Sequence, residues 1–418
     1  MWLKWSFAPK PFTPTYVLGF IVVAVMLITI LIWLITGCQG WRNIVQSYWH
    51  IAWVIFATLL TAWSIISQYW AFGINDYSGL AQSASLQLFI VLLFSIVIIA
   101  VAPSPKIILG ILIFSMLFQG VVGGLQVIFQ QNIGLDWLGE FALDVSASGI
   151  SVLEDNGTRW LRPYGLTPHP NILAGIISLG IFASGNWILQ SGKKRLIGNI
   201  VFIIGFWCLL LTFSRGAWLG FAVAVFVVLP FVLSTENFWK KVLPTIISVF
   251  ITGSIFVAIF SSLLISRTSI NGQNTEMRSI SDRLVYIDIA LDAIEKYPLQ
   301  GVGMANFPWY ASNYIFYNTE YDLDGNYVHN IYLGIVSELG LIGFGLFMGM
   351  IVSAIGAIMR KRTTETIMLL AGFIAWAVMG VFDHFMWTLV LTQALWFGML
   401  AVAMSGAVVQ KELPLESA

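Results

Sequence analysis

The side chains best suited to chemistry in this sequence are a few arginines and histidines beside long apolar runs. Arg215 occupies the join between two such runs, in Thr-Phe-Ser-Arg-Gly-Ala at 212–217. An arginine at the hydrocarbon boundary is costly unless it is paired or reaches water. Its guanidinium carries planar donors that match phosphate oxygens, and the start of a helix favours an anion. Arg215 is therefore predicted to bind a phosphate group; the alternative is an interfacial arginine on lipid headgroups.

A second polar segment, at 159–171, lies before the apolar run at 170–190 and contains Arg159, Arg162, His169 and Asn171. Prolines on either side of His169 predict an extended entry to the helix, with Asn171 as its N-cap. Arg162 is predicted to present a second cation at the same membrane face. For Arg159 and His169, loop charge and loop structure are the simpler interpretations.

A third cation, Arg283, begins a segment at 281–297 with helical periodicity. Four apolar residues recur along one side of this segment: Leu284, Ile287, Leu291 and Ile294. Acidic residues lie off that stripe, which predicts an amphipathic helix on the outer surface or capping the bundle. Arg283 is expected in the first turn, where the helix dipole disfavours a cation, and this favours a phosphate partner over a surface ion pair.

His329 opens a later apolar run and is predicted to accept a proton from a hydroxyl group, since imidazole titrates near neutrality. The alternative is a capping or packing histidine. Glu338 lies deeper in the same run, where an acid needs a cation or a backbone partner. Asp383 and His384 are adjacent, and adjacent residues do not face each other on a helix, so they are not predicted as a catalytic pair. No histidine–carboxylate spacing is typical of a metal site, and neither a metal nor a cofactor is predicted.

The chain that positions these residues is strongly apolar. Of 418 residues, 58% are hydrophobic and 10% are charged, with mean hydropathy +0.87 and zero net charge. Ordinary soluble domains have about 25% charged residues. The composition excludes a soluble enzyme and predicts no nucleic-acid partner, because no global cationic field is present. Two distant cysteines, Cys38 and Cys208, indicate no disulfide framework.

Apolar runs of membrane-spanning length predict an all-α polytopic membrane protein with about 11–12 transmembrane helices. The eleven candidate spans are 16–36, 48–72, 86–102, 107–129, 170–190, 196–213, 216–234, 242–265, 331–358, 365–383 and 388–408. A twelfth, short or re-entrant span is expected in the first 130 residues, because Lys4 and Lys10 favour a cytoplasmic N-terminus. Residues 1–418 are predicted to form one membrane domain.

Basic residues in short loops orient the predicted spans, since cytoplasmic loops are enriched in lysine and arginine. The clusters at 193–195, 240–241 and 360–362 are predicted to be cytoplasmic. Loop 130–169 and the larger loop 266–330 are then on the outer side, where loop 266–330 would cap the site. The candidate site residues all fall on that outer face, where neither ATP nor nucleotide sugars are available. A substrate there must arrive already activated in the membrane, and a lipid-linked sugar fits this requirement.

Residues 159–345 resemble the O-antigen ligase and polymerase family of GT-C class membrane glycosyltransferases. The resemblance rests on Arg-Pro-Tyr-Gly…Pro-Asn at 162–171, Thr-Phe-Ser-Arg-Gly-Ala at 212–217, Pro-Leu-Gln-Gly-Val-Gly-Met-Ala-Asn-Phe at 298–307, and His-Asn-Ile-Tyr-Leu…Glu-Leu-Gly at 329–340. It implies an undecaprenyl diphosphate-linked glycan donor, a glycolipid or glycan acceptor, and metal-independent inverting transfer. It also implies a bacterial cytoplasmic membrane with the active site on the outer face.

Carried over by position, the resemblance gives each candidate residue a role. Arg162, Arg215 and Arg283 would bind the diphosphate, and His329 would be the general base. The further candidates are Glu338, Arg159, His169 and Asn171.

Polymerases of this family often carry Arg-x10-Gly in their outer loops. None of Arg159, Arg162, Arg278 and Arg283 has glycine at that spacing. This favours a ligase, with a polymerase as the alternative.

Two readings without chemistry also remain open, a membrane transporter and a lipid-diphosphate binding protein. The transporter is disfavoured because matching pairs of broken helices are missing from the sequence. His329 distinguishes a transferase from a transporter or a binding protein, since a transporter or binding protein needs the arginines but not a base.

Overall fold

The computed structural model describes residues 14–71, 74–147, 149–155, 157–268, 274–317, 326–360 and 362–406. Three of the charges that orient the predicted spans lie outside these residues: Lys4, Lys10 and Lys361. The sidedness of the N-terminus therefore stays a prediction.

Helices dominate the described part of the chain. The first five are α1 (Pro14–Ile35), α2 (Trp41–Ile44), α3 (Tyr48–Ile66), α4 (Ile74–Val101) and α5 (Pro105–Phe129). The next five are α6 (Pro170–Ile188), α7 (Lys193–Leu211), α8 (Arg215–Val232), α9 (Phe238–Thr268) and α10 (Asn274–Lys296). The last five are α11 (Phe307–Tyr317), α12 (Ile331–Arg360), α13 (Thr364–Met379), α14 (Phe385–Thr388) and α15 (Val390–Ser405).

The chain is a polytopic membrane protein. Within the described residues, eight helices are long and apolar enough to cross a bilayer, and three shorter apolar helices occupy Gly19–Ile35, Thr364–Met379 and Val390–Ser405. Together these helices lie at the eleven predicted spans. The remaining helices of the described chain are short or belong to connections at the end of the bundle that the sequence predicts to be the outer one, and the terms outer end and outer face denote that end. Helix α2 is far too short to supply a twelfth span.

The connection from α5 to α6 departs from the all-α prediction because it contains a hairpin of two antiparallel strands. Strand β1 (Val152–Asp155) pairs with β2 (Thr158–Leu161). Glutamine side chains near the outer end of α5 hold this connection: Gln126 accepts from the backbone N–H groups of Tyr164 and Gly165 at 3.0 and 2.8 Å. Buried polar groups need such partners, and these hydrogen bonds fasten the connection to the bundle together with Leu153 of β1, which is buried in a cluster with Phe213, Phe256 and Leu263.

Helix α12 is two helices joined at a break. Gly340 has φ +66° in its middle, a conformation that L side chains rarely adopt. The segment after α10 docks at this break, where Val302 N donates to Ser337 O and Gly303 N to Glu338 O, both at 2.8 Å. Leu341 N donates to Pro298 O, also at 2.8 Å. Gly301 lets the backbone of this segment approach α12, since an added Cβ there would lie 2.4 Å from Glu338 O, whereas an added Cβ on Gly303 would lie 2.6 Å from Ala71 Cβ.

Helix α10 confirms the predicted amphipathic helix but packs through a different face. Its buried residues form a core with α11 and the segment before α12: Tyr286, Ile289, Ala290 and Ala293. The stripe expected from the sequence points elsewhere, with Leu284 and Leu291 57% and 50% exposed. Tyrosine and alanine thus supply the packing face, which the sequence analysis did not assign.

Helix α6 forms the centre of the bundle beneath the outer face. Most of its residues are buried, and it packs against α5, α7 and α13. Helix α8 packs along α13, where an added Cβ on Gly220 would lie 2.5 Å from Ala375 O. These contacts bring the outer ends of α6, α8 and α13 together.

Candidate functional site

The turn between α7 and α8 presents Arg215 at the first position of α8, as the sequence predicts. Phe213 in this turn has φ +50°. Its ring packs against Phe256 and Phe260 at centroid distances of 5.4 and 5.9 Å, which holds the strained backbone in place. Arg215 is exposed, and the neighbouring Gly216 lies against Phe382, whose Cβ would be 3.5 Å from an added Cβ. The start of α8 thus lies beside the turn that follows α13.

Arg162 is buried, at 3% exposure, and is held by three elements. Its Nε donates to Thr212 O at 2.8 Å, its Nη1 to Ser151 Oγ at 2.7 Å and its Nη2 to Asn171 Oδ1 at 3.0 Å. The residue therefore joins the hairpin region, the end of α7 and the start of α6. A buried guanidinium with this many acceptors fixes local geometry and adds positive charge beneath the outer surface.

Arg159 lies on the hairpin, directly opposite Glu154 in the strand register. Its Nε is 3.6 Å from Glu154 Oε1, and both side chains are partly exposed. Such a surface pair contributes about 0–1 kcal/mol. The loop-charge interpretation of Arg159 fits this position.

The start of α6 carries two candidate residues, in roles that differ from the prediction. The N-cap is His169, whose Nδ1 accepts from Asn171 N at 3.1 Å. The prediction of Asn171 as the cap was wrong, because the helix begins one residue earlier, at Pro170. Asn171 instead donates its Nδ2 to Asp383 Oδ2 at 3.0 Å. Its side chain therefore connects Arg162 on one side to Asp383 on the other.

Asp383, His384 and His329 come together at the outer ends of α12 and α13. Asp383 Oδ1 accepts from His384 N at 2.8 Å. The rings of His329 and His384 meet edge to face, with centroids 5.2 Å apart, and His384 also stacks on Tyr327 at 5.4 Å. Within the described chain, His329 Nδ1 is buried and has no hydrogen-bond partner. A buried imidazole nitrogen without a partner is unusual in a folded protein.

The imidazoles of this cluster are neutral at neutral pH. Burial, followed by repulsion from the protonated form of His384, lowers the pKa of His329 to about 4. Burial and then Arg162 lower the pKa of His169 to about 3, and burial lowers that of His384. Burial alone would raise the pKa of Asp383, but the three nearby histidines outweigh it and the pKa falls. The cluster therefore combines a carboxylate with imidazoles that can accept a proton.

Arg283 reaches this cluster from α10. It is half-buried, and its positive charge lowers the pKa values of His169, His329 and His384. The expectation that it lies in the first turn was wrong, since α10 begins at Asn274. The helix-dipole argument for a phosphate partner therefore no longer applies. What places Arg283 at the candidate site is its proximity to three imidazoles.

Glu338 is fully buried within α12 and has the backbone partner that the sequence predicted. Its Oε1 accepts from Phe307 N at 3.4 Å, and its Oε2 accepts from Trp387 Nε1 at 3.3 Å. These bonds tie the segment after α10 and the helix α14 to the upper half of α12. Glu338 thus supports the frame that carries His329.

Asp383 and His384 are the residues that the sequence analysis did not select. The adjacency argument assumed a helix, whereas both residues lie in the turn between α13 and α14. Their common predicted membrane face with Arg215 and His329 was the available signal.

The fold and this cluster define a class: a multi-pass membrane protein with arginines, imidazoles and a carboxylate gathered at one end of the bundle. Residues 200–348 match the family model described as O-Antigen ligase, and this part of the chain is similar to that family. A member of that family would be a ligase- or polymerase-type transferase that uses lipid-linked glycans. A search of curated proteins finds no relative with significant sequence similarity.

The matched segment contains Arg215, Arg283, His329 and Glu338. Arg162 and Asp383 lie on either side of it in sequence and join the same cluster through Asn171.

Proposed function

We propose that this protein transfers a glycan from an undecaprenyl diphosphate carrier to an acceptor hydroxyl, by metal-independent inverting transfer. The acceptor is a glycolipid such as a lipid A core. The reaction takes place on the outer face of a bacterial cytoplasmic membrane. The observation that carries the proposal is the unpartnered Nδ1 of His329, buried beside Asp383 and within the field of Arg283.

The reaction needs one displacement at the anomeric carbon. The acceptor oxygen forms a bond to that carbon while the bond to the diphosphate oxygen breaks, and the electron pair leaves with the diphosphate. The acceptor proton passes to neutral His329, whose low pKa keeps it deprotonated before the reaction. The carboxylate of Asp383 stabilises the imidazolium that forms, because its charge raises the pKa of His329.

The arginines stabilise the departing diphosphate. Arg215 lies exposed at the start of α8, where backbone N–H groups also favour an anion. Arg283 adds a second guanidinium from α10. The guanidinium of Arg162 donates its hydrogen bonds to protein acceptors. In this proposal it therefore stabilises the diphosphate only through its positive charge, and it orients Asn171. Fixed cations placed where negative charge develops lower the barrier without reorganisation.

Glu338, Arg159 and His169 have other parts in the proposal. Glu338 stabilises the part of α12 that follows His329 by accepting a hydrogen bond from Phe307 N, and His169 caps α6 beside Asn171. Arg159, paired with Glu154 on the hairpin, has no role in the chemistry.

The test is transfer in vitro from undecaprenyl diphosphate-linked glycan by purified protein in the presence of EDTA. The expected result is donor-dependent product from the natural protein and loss of product in Arg215→Ala and in His329→Ala. Full activity of His329→Ala would disprove its role as base. Glycan added to a second lipid-linked glycan, with none on a glycolipid acceptor, would instead assign a polymerase.

Donor binding with no transfer to either acceptor would contradict an enzymatic function and support a carrier or binder.

A further inference from the structure

His384 lies beside His329 at the outer end of the bundle but takes no part in the proposed proton transfer. It lies in the turn between α13 and α14, and its side chain is partly buried. Its backbone N–H donates to Asp383, whereas its imidazole is held by other residues. Their contacts fix both the plane of the ring and the position of its hydrogen.

Two neighbouring rings fix the plane of the His384 imidazole. It stacks on Tyr327, with centroids 5.4 Å apart and an interplanar angle of 27°. Tyr327 is 8% exposed and packs in turn on Phe307, with centroids 6.4 Å apart. The ring of His329 meets His384 edge to face at 5.2 Å. His384 is therefore held by packing next to the proposed base.

Thr388 fixes the hydrogen of the His384 ring. The threonine Oγ1 is 2.9 Å from His384 Nδ1 and 3.2 Å from the carbonyl oxygen of His384. A hydroxyl carries one hydrogen, so both contacts are hydrogen bonds only if Oγ1 donates to the carbonyl and accepts from Nδ1–H. The opposite arrangement would place two oxygen lone pairs against each other. A neutral imidazole carries one N–H, and Nε2 of His384 is therefore an unprotonated acceptor.

This Nε2 is complementary to a hydroxyl group. Within the described residues, the side chain of His384 makes its hydrogen bond through Nδ1, and the ring is partly exposed. Burial lowers the pKa of His384, so the ring is neutral at pH 7. A neutral nitrogen lone pair does not attract phosphate oxygens, whereas a hydroxyl can donate to it.

The position beside His329 indicates which substrate supplies that hydroxyl. In the proposed reaction, His329 takes a proton from the attacking hydroxyl of the acceptor, and that hydroxyl must lie within hydrogen-bond reach of His329. Because the two imidazole centroids are 5.2 Å apart, His384 then lies next to the same part of the acceptor sugar. A neighbouring hydroxyl of the acceptor is the hydrogen-bond donor that the reaction brings to this place.

We propose that His384, held as its Nδ1–H tautomer by Thr388, binds the acceptor substrate by accepting a hydrogen bond from a sugar hydroxyl at Nε2. The inference rests on the proposed function and deepens it. His384 is then a determinant of acceptor binding, whereas His329 removes the proton. A site built to pair with a hydroxyl discriminates against an acceptor that lacks it.

The first test observes the ring nitrogens by NMR in protein labelled at its histidines. The chain has four histidines, so the spectrum has few ring signals, and His384→Phe identifies those of His384. The expected spectrum at pH 7 has a protonated Nδ1 and an unprotonated Nε2, and Thr388→Val should mix the two tautomers. The matched control is Thr392→Val, since the Thr392 hydroxyl donates to the carbonyl oxygens of Phe385 and Leu389. A protonated Nε2 in the natural protein would overturn the proposal.

The same labelled protein is then titrated separately with each substrate. Lipid A carrying a core oligosaccharide should move the Nε2 signal of His384 towards the protonated position, as expected for a nitrogen that accepts a hydrogen bond. Undecaprenyl diphosphate-linked glycan alone should leave that signal in place. A shift with the donor and none with the acceptor would overturn the proposal in favour of a donor contact. No shift with either would leave water as the partner of Nε2 and would also overturn it.

Kinetics separate this inference from the proposed function. His384→Phe retains the shape of the ring and should raise KM for the acceptor roughly 2- to 10-fold, the effect of one neutral hydrogen bond, with KM for the donor unchanged. His384→Gln should recover part of the loss, because its amide oxygen can accept in place of Nε2. Transfer with an unchanged acceptor KM in His384→Phe would overturn the inference while the transferase assignment stands. If the natural protein transfers nothing, the proposed function fails, and the Nε2 signal decides whether His384 binds the glycolipid.

Discussion

The side-chain amide of Asn171 donates a hydrogen bond to the carboxylate of Asp383 at 3.0 Å, across 212 positions of sequence. The same amide group accepts from Arg162 through its oxygen. This contact joins the start of α6 to the turn after α13. It fixes the carboxylate beside His329 and His384.

The first prediction concerns this contact. Asn171→Ala and Asp383→Ala should each lower kcat/KM for transfer, and the double variant should lose less than the two losses combined. Interacting neighbours show coupling of about 0.5–3 kcal/mol. The control is Asn199, partly buried, and its hydrogen-bond partner Thr245, buried, near the opposite end of the bundle. Alanine there should reduce the unfolding temperature but not kcat/KM. Full additivity at Asn171 and Asp383 would show that the contact does not act as a unit.

The second prediction concerns Arg215. Arg215→Ala should reduce kcat by roughly 10²–10³-fold, the cost of losing one preorganised donor to a developing negative charge. Arg215→Lys should recover part of the loss, because it restores the charge but not the planar fork. The matched control is Arg195→Ala, at the other end of the bundle. An equal loss in that variant would indicate a general effect of removing an arginine.

The third prediction concerns the pH dependence of transfer. Because the pKa of His329 is lowered to about 4, it stays unprotonated as pH falls from 7 to 5. The rate should therefore hold over that range and fall only as pH approaches about 4, where the imidazole gains a proton and can no longer act as a base. A fall centred near 6.5, the ordinary histidine value, would contradict this assignment.

A variant sharpens the pH test. The charge of Arg283 lowers the pKa of His329, so Arg283→Gln should move the acid limb to higher pH. Lys296→Gln removes a cation from the same helix, where Lys296 pairs with Asp292 at 3.0 Å. That control should leave the limb in place. If the acid limb of the pH–rate profile moved in both variants, the shift would depend on the net charge of α10 and not on Arg283 in particular.

The fourth prediction concerns the break in α12. An added Cβ on Gly340 would lie 2.0 Å from Leu299 O, and the residue has φ +66°. Gly340→Ala should therefore destabilise the protein, with about 1–3 kcal/mol for the backbone strain alone, and should reduce transfer through His329. Gly345→Ala is the control, since an added Cβ there meets nothing within 4 Å. Thermal unfolding measures the stability of the two variants. An equal loss of stability in Gly340→Ala and Gly345→Ala would contradict a structural requirement for glycine at the break.

Much of this architecture follows from local sequence. Eleven apolar runs predict the positions of the long helices because burying twenty residues in hydrocarbon requires continuous apolar character and internal hydrogen bonding, which a single segment supplies. The join at Arg215, the amphipathic helix before Pro298 and the outer segment at 159–171 were visible for the same reason. The family resemblance came from these short segments.

Other features depended on packing between distant segments. Hydropathy does not indicate which helices are neighbours. It therefore could not predict that Asp383 and His384 lie beside His329, or that Arg162 donates a hydrogen bond to Thr212. It also did not reveal the packing face of α10, because the outer core selects Tyr286 and two alanines by shape whereas periodicity counts only large aliphatic residues. By itself the sequence determined which segments enter the membrane, since that depends on local transfer free energy. Only the tertiary structure decided which polar side chains meet, since that depends on helix neighbours and on the direction of each side chain.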